Sequence, residues 1–112
     1  MVENRITDGK RIAQLLASEL TGLSEGVLAA IDLADVDRDA EPTQAGTLAY
    51  RITYEGEPIA DVFLFPSSVV VRLLDERQWP EDAPLRENGE QLRIEYGAAV
   101  KGAVDAIRLL VE

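Results

Sequence analysis

Histidine and cysteine are both absent from this chain of 112 residues. Without a thiol there is no disulfide, no cysteine nucleophile and no thiolate metal ligand. Without an imidazole there is no histidine acid–base chemistry and no His zinc site. Long apolar runs are missing too. No stretch approaches the roughly 20 residues that span a bilayer, and Met1-Val2-Glu3-Asn4-Arg5 offers no apolar secretory core. These absences predict a cytoplasmic protein with no membrane partner. Lysine is scarce: Lys10 and Lys101 stand against nine arginines. Aromatics make up only 5% of the chain, and none is interleaved with a basic patch, so nucleic acid is not expected as a partner.

What is present in excess is acid. Asp and Glu total 21 against 11 basic residues, a net charge of -10, while 46% of the residues are hydrophobic. That apolar share is globular, and the length predicts a single domain over residues 1–112. In dilute salt, so many like charges push against the compact state. Near 1 M salt the Debye length falls to about 3 Å and that repulsion largely vanishes. An acidic, lysine-poor chain rich in Ala and Val therefore fits a salt-saturated cytosol. The competing explanation is an ordinary acidic protein that binds a basic partner. The opening Arg5-Ile6-Thr7-Asp8-Gly9-Lys10-Arg11-Ile12-Ala13-Gln14-Leu15-Leu16-Ala17-Ser18-Glu19-Leu20 resembles the start of small hypothetical proteins of halophilic archaea. That resemblance implies a similar layout of helix, acidic middle, strands and C-terminal helix. It implies no chemistry, because that family is one of unknown function.

The hydrophobic periodicity gives the layout residue by residue. A helix is predicted from Thr7 or Asp8, both good N-caps, to about Thr21, with Gly22 as the stop. Ile12, Leu15, Leu16, Leu20 and Leu23 share its apolar side, and Glu19 falls inside the same sector, either bending out to water or to an arginine at the helix end or held as a buried acid. Residues 27–34 alternate as a strand, although Leu28-Ala29-Ala30 would also suit a helical turn. Residues 35–46 are a turn-rich acidic loop. Strands follow at about 47–54, 59–65, 69–74 and 92–96, with Glu55-Gly56-Glu57-Pro58 as a tight hairpin turn. Residues 75–89 form a long loop in which Asn88-Gly89 closes a hairpin between Leu85 and Leu92. A second helix at about 98–111 places Val100, Val104, Ile107 and Val111 inward. The expected fold is α+β: an N-terminal helix, an antiparallel sheet of four to five strands and a C-terminal helix, with both helices on one face.

Few residues qualify as site candidates. Asp35-x-Asp37-x-Asp39 opens like a calcium loop. The sixth position, however, is Ala40 where that loop needs Gly, and the twelfth is Gly46 where it needs Glu, so a solvated acidic loop is the better reading and no metal is expected. Gly9-Lys10 lacks the earlier Gly of a phosphate loop, and Ser67 and Ser68 have no histidine to activate them. No cofactor motif and no catalytic set is present. Strand parity places Asp61 on the face of Tyr50, Ile52, Ile59, Phe63 and Phe65, where a covered carboxylate must find donors. The Tyr50 or Tyr54 hydroxyl, or an arginine from a neighbouring element, could supply them. Paired with Glu19 it would make a two-carboxylate site; a strand-end charge or a structural Tyr–Asp bond is the plainer alternative. Trp79, the lone tryptophan, either anchors a partner or folds down as a lid over the core.

One argument points to self-association. Residues 59–65 are apolar on both faces, and two short helices cover only one of them, so a second copy is the natural cover for the other. Leu109 with Ala98 and Gly102 makes a smaller patch on the outer side of the second helix. The resulting expectation is a non-catalytic cytoplasmic protein of a halophile that acts as a homodimer or through a protein partner. The alternative is a small enzyme or ligand-binding domain using Asp61, Tyr50 and Glu19 under the Trp79 loop.

Overall fold

The computed structural model describes residues 7–22 and 29–111. Helix α1 spans Gly9–Gly22. It starts where the sequence places it: the Asp8 carboxylate accepts the Lys10 N–H at 2.9 Å, and the Asp8 carbonyl accepts the N–H of Ile12. Five strands follow, β1 (Ile31–Ala34), β2 (Thr47–Tyr54), β3 (Glu57–Phe65), β4 (Ser68–Leu73) and β5 (Gln91–Ile94). A 3₁₀ turn at Gly97–Ala99 leads into helix α2 (Val100–Val111). The strands pair in chain order β1-β2-β3-β4-β5, every pair antiparallel, so the sheet is a meander. The α+β architecture is thus as expected. The strand expected at 27–34 is shorter, and residues 27–28, like Leu23 of the helix stripe, lie outside the described residues.

Both helices lie on one face of the sheet. Ile12, Leu16 and Leu20 of α1 join Val100, Ala103, Val104 and Ile107 of α2 in one core with Tyr50, Ile52, Val62, Leu64, Val69, Val71, Leu92 and Ile94 of the sheet. The buried arc of α1 is centred on the 12-16-20 ridge and turned toward Gly9 and Ala13, which face the strands. Leu15 is therefore only partly buried, and Glu19 is exposed, as a helix-end carboxylate that bends out to water. Gly9 is where α1 docks on the turn between β3 and β4, and its N–H reaches the Pro66 carbonyl at 3.2 Å. A methyl there would strike the Phe65 carbonyl oxygen and approach that of Ser68 to 2.7 Å.

The register of the β2–β3 hairpin differs from the simple alternation, and Asp61 moves with it. Glu55 and Gly56 form the two-residue turn, both left-handed at φ 52° and 85°. Tyr54 opposes Glu57 and Thr53 opposes Pro58, but Ile52 then opposes Ala60. Ile59 is an extra residue, a β-bulge, and it reverses the facing of everything after it in β3 relative to β2. Asp61 consequently sits opposite Arg51, on the other face from Tyr50 and Ile52. A second shift, between Leu48 and Tyr50, leaves Ala49 unpaired and turns Leu48 to the side of Phe63. Successive buried pairs, Ile59–Ala60 and Ala49–Tyr50, mark the two irregularities.

Both sheet edges are partly occupied. The Glu55 N–H bonds the Ala30 carbonyl, so the alternation turns the Leu33 N–H to the free edge of β1. There the Asp32 carboxylate accepts it at 2.8 Å. Along β5, residues 85–87 run antiparallel, with Arg86 bridged to Leu92 and the Arg93 N–H on the Leu85 carbonyl. The Asn88 side chain accepts the N–H groups of Glu90 and Gln91, closing the hairpin the Asn-Gly pair predicts.

Gly9→Ala gives a test of the docking contact. In an open helix that change would stabilise by up to about 1 kcal/mol; here it is expected to cost about 1–3 kcal/mol or more through overpacking against backbone. Gly22→Ala, where a methyl meets nothing within 4 Å, serves as the comparison. Urea denaturation of both variants reads the difference.

Candidate functional site

The face of the sheet away from the helices carries the most chemically distinctive surface. Arg51, Asp61 and Arg72 stand side by side across β2, β3 and β4. Arg51 Nε donates to Asp61 Oδ1 at 2.9 Å, and Asp61 keeps only 14% of its side chain exposed. Arg51 also lies 3.9 Å from Asp35, and Arg72 pairs with Glu90 at 3.5 Å. Of the donors expected for this largely covered carboxylate, arginine supplies the contact rather than a tyrosine hydroxyl. The next row across the sheet is Leu48, Phe63, Val70 and Arg93. Val70 is buried, Phe63 and Phe65 are half-buried, and Leu48 is exposed. The Arg93 guanidinium lies 5.3 Å from the centre of the Phe65 ring, donates to Ser68 Oγ and pairs with Glu87 at 2.6 Å. Gly46 seats the far edge of the same ring, since a Cβ there would fall 2.7 Å from Phe65 Cζ.

Tyr50 faces the helices. Its hydroxyl, buried with the ring, donates to the Ala13 carbonyl at 2.7 Å and ties β2 to α1. Burial pushes the Tyr50 pKa well above its ordinary value, because the phenolate would lose its water. Above this bond runs a groove of about 450 Å³ between α1 and the acidic loop of residues 35–46. Tyr50, Ala13, Ala49 and Leu64 lie along its floor, and Lys10 and Arg38 lie at its rim.

Trp79 is 2% exposed and belongs to the core. Its loop is tightly laced: the Trp79 N–H bonds the Gly89 carbonyl at 2.7 Å, and that of Arg77 bonds Leu74. Asp75, Glu76 and Leu85 adopt left-handed backbone at φ 57°, 63° and 67°, which Asp tolerates and which is costly for Glu and Leu. Pro84 and Leu85 pack on Gly102, so part of the small patch on α2 is covered from within; Leu109 remains exposed. The indole N–H of Trp79 and Nε of Arg77 are buried without a partner among the described residues.

The four candidate residues do not meet. Tyr50 lies under α1, Asp61 on the opposite face of the sheet, and Trp79 beneath its loop. Glu19 is exposed beside a shallow cleft that it shares with Lys101. The helix layer and the sheet separate Glu19 from Asp61, so no two-carboxylate site forms. Among the described residues no three acidic side chains converge as a metal cage, and in the acidic loop Asp37 accepts the Asp39 N–H instead. The sequence reading missed the arginine row and the groove. The first was legible only with the Ile59 bulge known, and the second depends on how α1 lies over β2.

The geometry defines an α+β protein whose five-stranded meander carries helices on one face and an arginine–aromatic surface on the other. The chain belongs to a family of unknown function (DUF7993), whose model matches residues 1–112. Neither the curated proteins nor the solved structures give a match. No helix among the described residues is long and apolar enough to cross a membrane.

Two buried aromatics give testable consequences. The pKa of Tyr50 is higher folded than unfolded, so its stabilising contribution is intact below about pH 10 and declines as pH rises beyond it. Phenolate absorbance for this residue, identified by difference with Tyr50→Phe, should appear only with unfolding. Trp79→Ala should cost about 3–5 kcal/mol. Trp79→Phe should cost clearly less, because it keeps most of the buried ring and the indole N–H has no partner among the described residues; thermal and urea melts compare the two.

Proposed function

We propose that the protein is non-catalytic and works by pairing with a second copy of itself through the outer sheet face, in the cytoplasm of a salt-loaded cell. The observation that carries this reading is the character of that face. Phe63, Phe65 and Leu48 form an incompletely covered apolar strip bordered by Arg51, Arg72 and Arg93. Aromatics and arginines are the residues that interfaces favour, and lysine, which they disfavour, is absent from the strip.

Charge favours a second copy over other partners. The chain as a whole carries -10, so two copies repel through most of their surfaces. On this face, however, each arginine is matched by a carboxylate: Arg51 by Asp61, Arg72 by Glu90, Arg93 by Glu87. The row Arg51–Asp61–Arg72 alternates in sign, so a two-fold axis can set an arginine of one copy near an acid of the other. Strand addition is a poor competitor, because Asp32 occupies one sheet edge and residues 85–87 the other. The acid excess supports the salt-rich setting, where screening removes the repulsion between copies.

Light scattering coupled to gel filtration tests the reading. In molar KCl the mass should be twice the 12.3 kDa of one chain, and it should shift toward monomer as the salt is diluted. Phe63→Glu, or Leu48→Glu where the strip is more open, should give a folded monomer at every salt concentration. A wild-type protein that stays monomeric up to millimolar concentration in molar KCl overturns the proposal. A dimer indifferent to both substitutions does the same.

A further inference from the structure

We infer that the groove between α1 and the acidic loop binds a small amphipathic organic anion, an apolar body carrying a carboxylate or a group of similar charge. Its volume, about 450 Å³, lies within the range of roughly 300–1,000 Å³ found for small-molecule sites. The floor is apolar and firmly held, since the Tyr50–Ala13 hydrogen bond fixes the helix to the strand directly beneath it. Ala17, half-buried on α1, and Val36, 51% exposed on the loop, flank the opening.

The charge of the lining selects the head group. Two cations, Lys10 and Arg38, line the groove against one carboxylate, Asp37, in a chain whose net charge is -10. Asp37 is engaged by its own loop, where it accepts the Asp39 N–H at 3.0 Å. Arg38 forms no ion pair with a described residue. Lys10 pairs with Glu41 at 3.2 Å, but the Glu41 side chain is 73% exposed, so an incoming anion displaces it at little cost. Once Glu41 is displaced, the groove presents two cations against Asp37, a local excess that attracts an anion the rest of the surface repels. The groove lies on the helix side, and its occupancy is independent of any contact through the outer sheet face.

8-Anilino-1-naphthalenesulfonate, an aromatic body with one sulfonate, is a suitable probe. Fluorescence titration of the full chain should show saturable binding at one site per chain. Decanoate should compete and decanol should not, which isolates recognition of the head group. Arg38→Glu, at an exposed position that leaves the core alone, should weaken the probe about tenfold or more, and Arg38→Lys should largely restore it. Ala17→Phe, which fills the opening, should abolish binding if circular dichroism shows it folded. Phe63→Glu on the far face should leave binding unchanged. Non-saturable binding, equal competition by decanol, or an affinity indifferent to Arg38→Glu overturns the inference.

Discussion

The extra residue at Ile59 is the constraint on which the rest of the sheet depends. In a two-layer protein a strand has one buried face, and a one-residue slip exchanges the two. With the bulge in place, Ala60, Val62 and Leu64 meet Tyr50 and Ile52 beneath the helices, while Asp61, Phe63 and Phe65 turn outward. Without it, the Asp61 carboxylate would face the helix layer among aliphatic side chains, away from Arg51. The bulge thus converts a strand apolar on both faces into one that buries only aliphatic side chains and presents the carboxylate to Arg51.

From that register follows a division of the molecule into two faces of different chemistry. The helix side is aliphatic, closed by Ile12, Leu16, Leu20, Val104 and Ile107, with Trp79 completing the core. The outer side is built of arginines, carboxylates and two phenylalanines. The Arg72–Glu90 pair, more than half exposed on both sides, contributes little to stability, whereas the Arg51–Asp61 pair is partly covered; together they leave a surface electrically balanced where the remainder is acidic. Both edges are partly occupied, and the bulges add twist that disfavours flat edge-to-edge stacking.

Polar groups inside the helix side are few and differently settled. Tyr50 is satisfied by a helix carbonyl, and the bond fixes how α1 lies along β2. That placement in turn leaves the groove beside Lys10 and Arg38. Trp79 Nε1 and Arg77 Nε have no partner among the described residues, in a loop that also holds three left-handed non-glycine residues. Orphaned donors and backbone strain in one segment subtract from stability, and the compensation is the large apolar surface that Trp79 buries.

The amino-acid pattern alone determined the kinds of element and their order. Asp8 as the N-cap, the left-handed Glu55-Gly56 turn, the Asn88-Gly89 hairpin and the apolar spacing of α2 all rest on contacts between near neighbours, which sequence spacing records directly. It also excluded thiol, imidazole and disulfide chemistry, because the residues are not there. Only the tertiary structure decided which way Asp61 points, that Glu19 is solvated, that Trp79 is interior, and that Lys10 and Arg38 share a groove. Alternation carries no mark of a bulge, since Ile59 and Ala60 are both apolar and either reads as inward. Once one uncounted residue enters a strand, every later side chain changes sides, and only the partner strand holds the count.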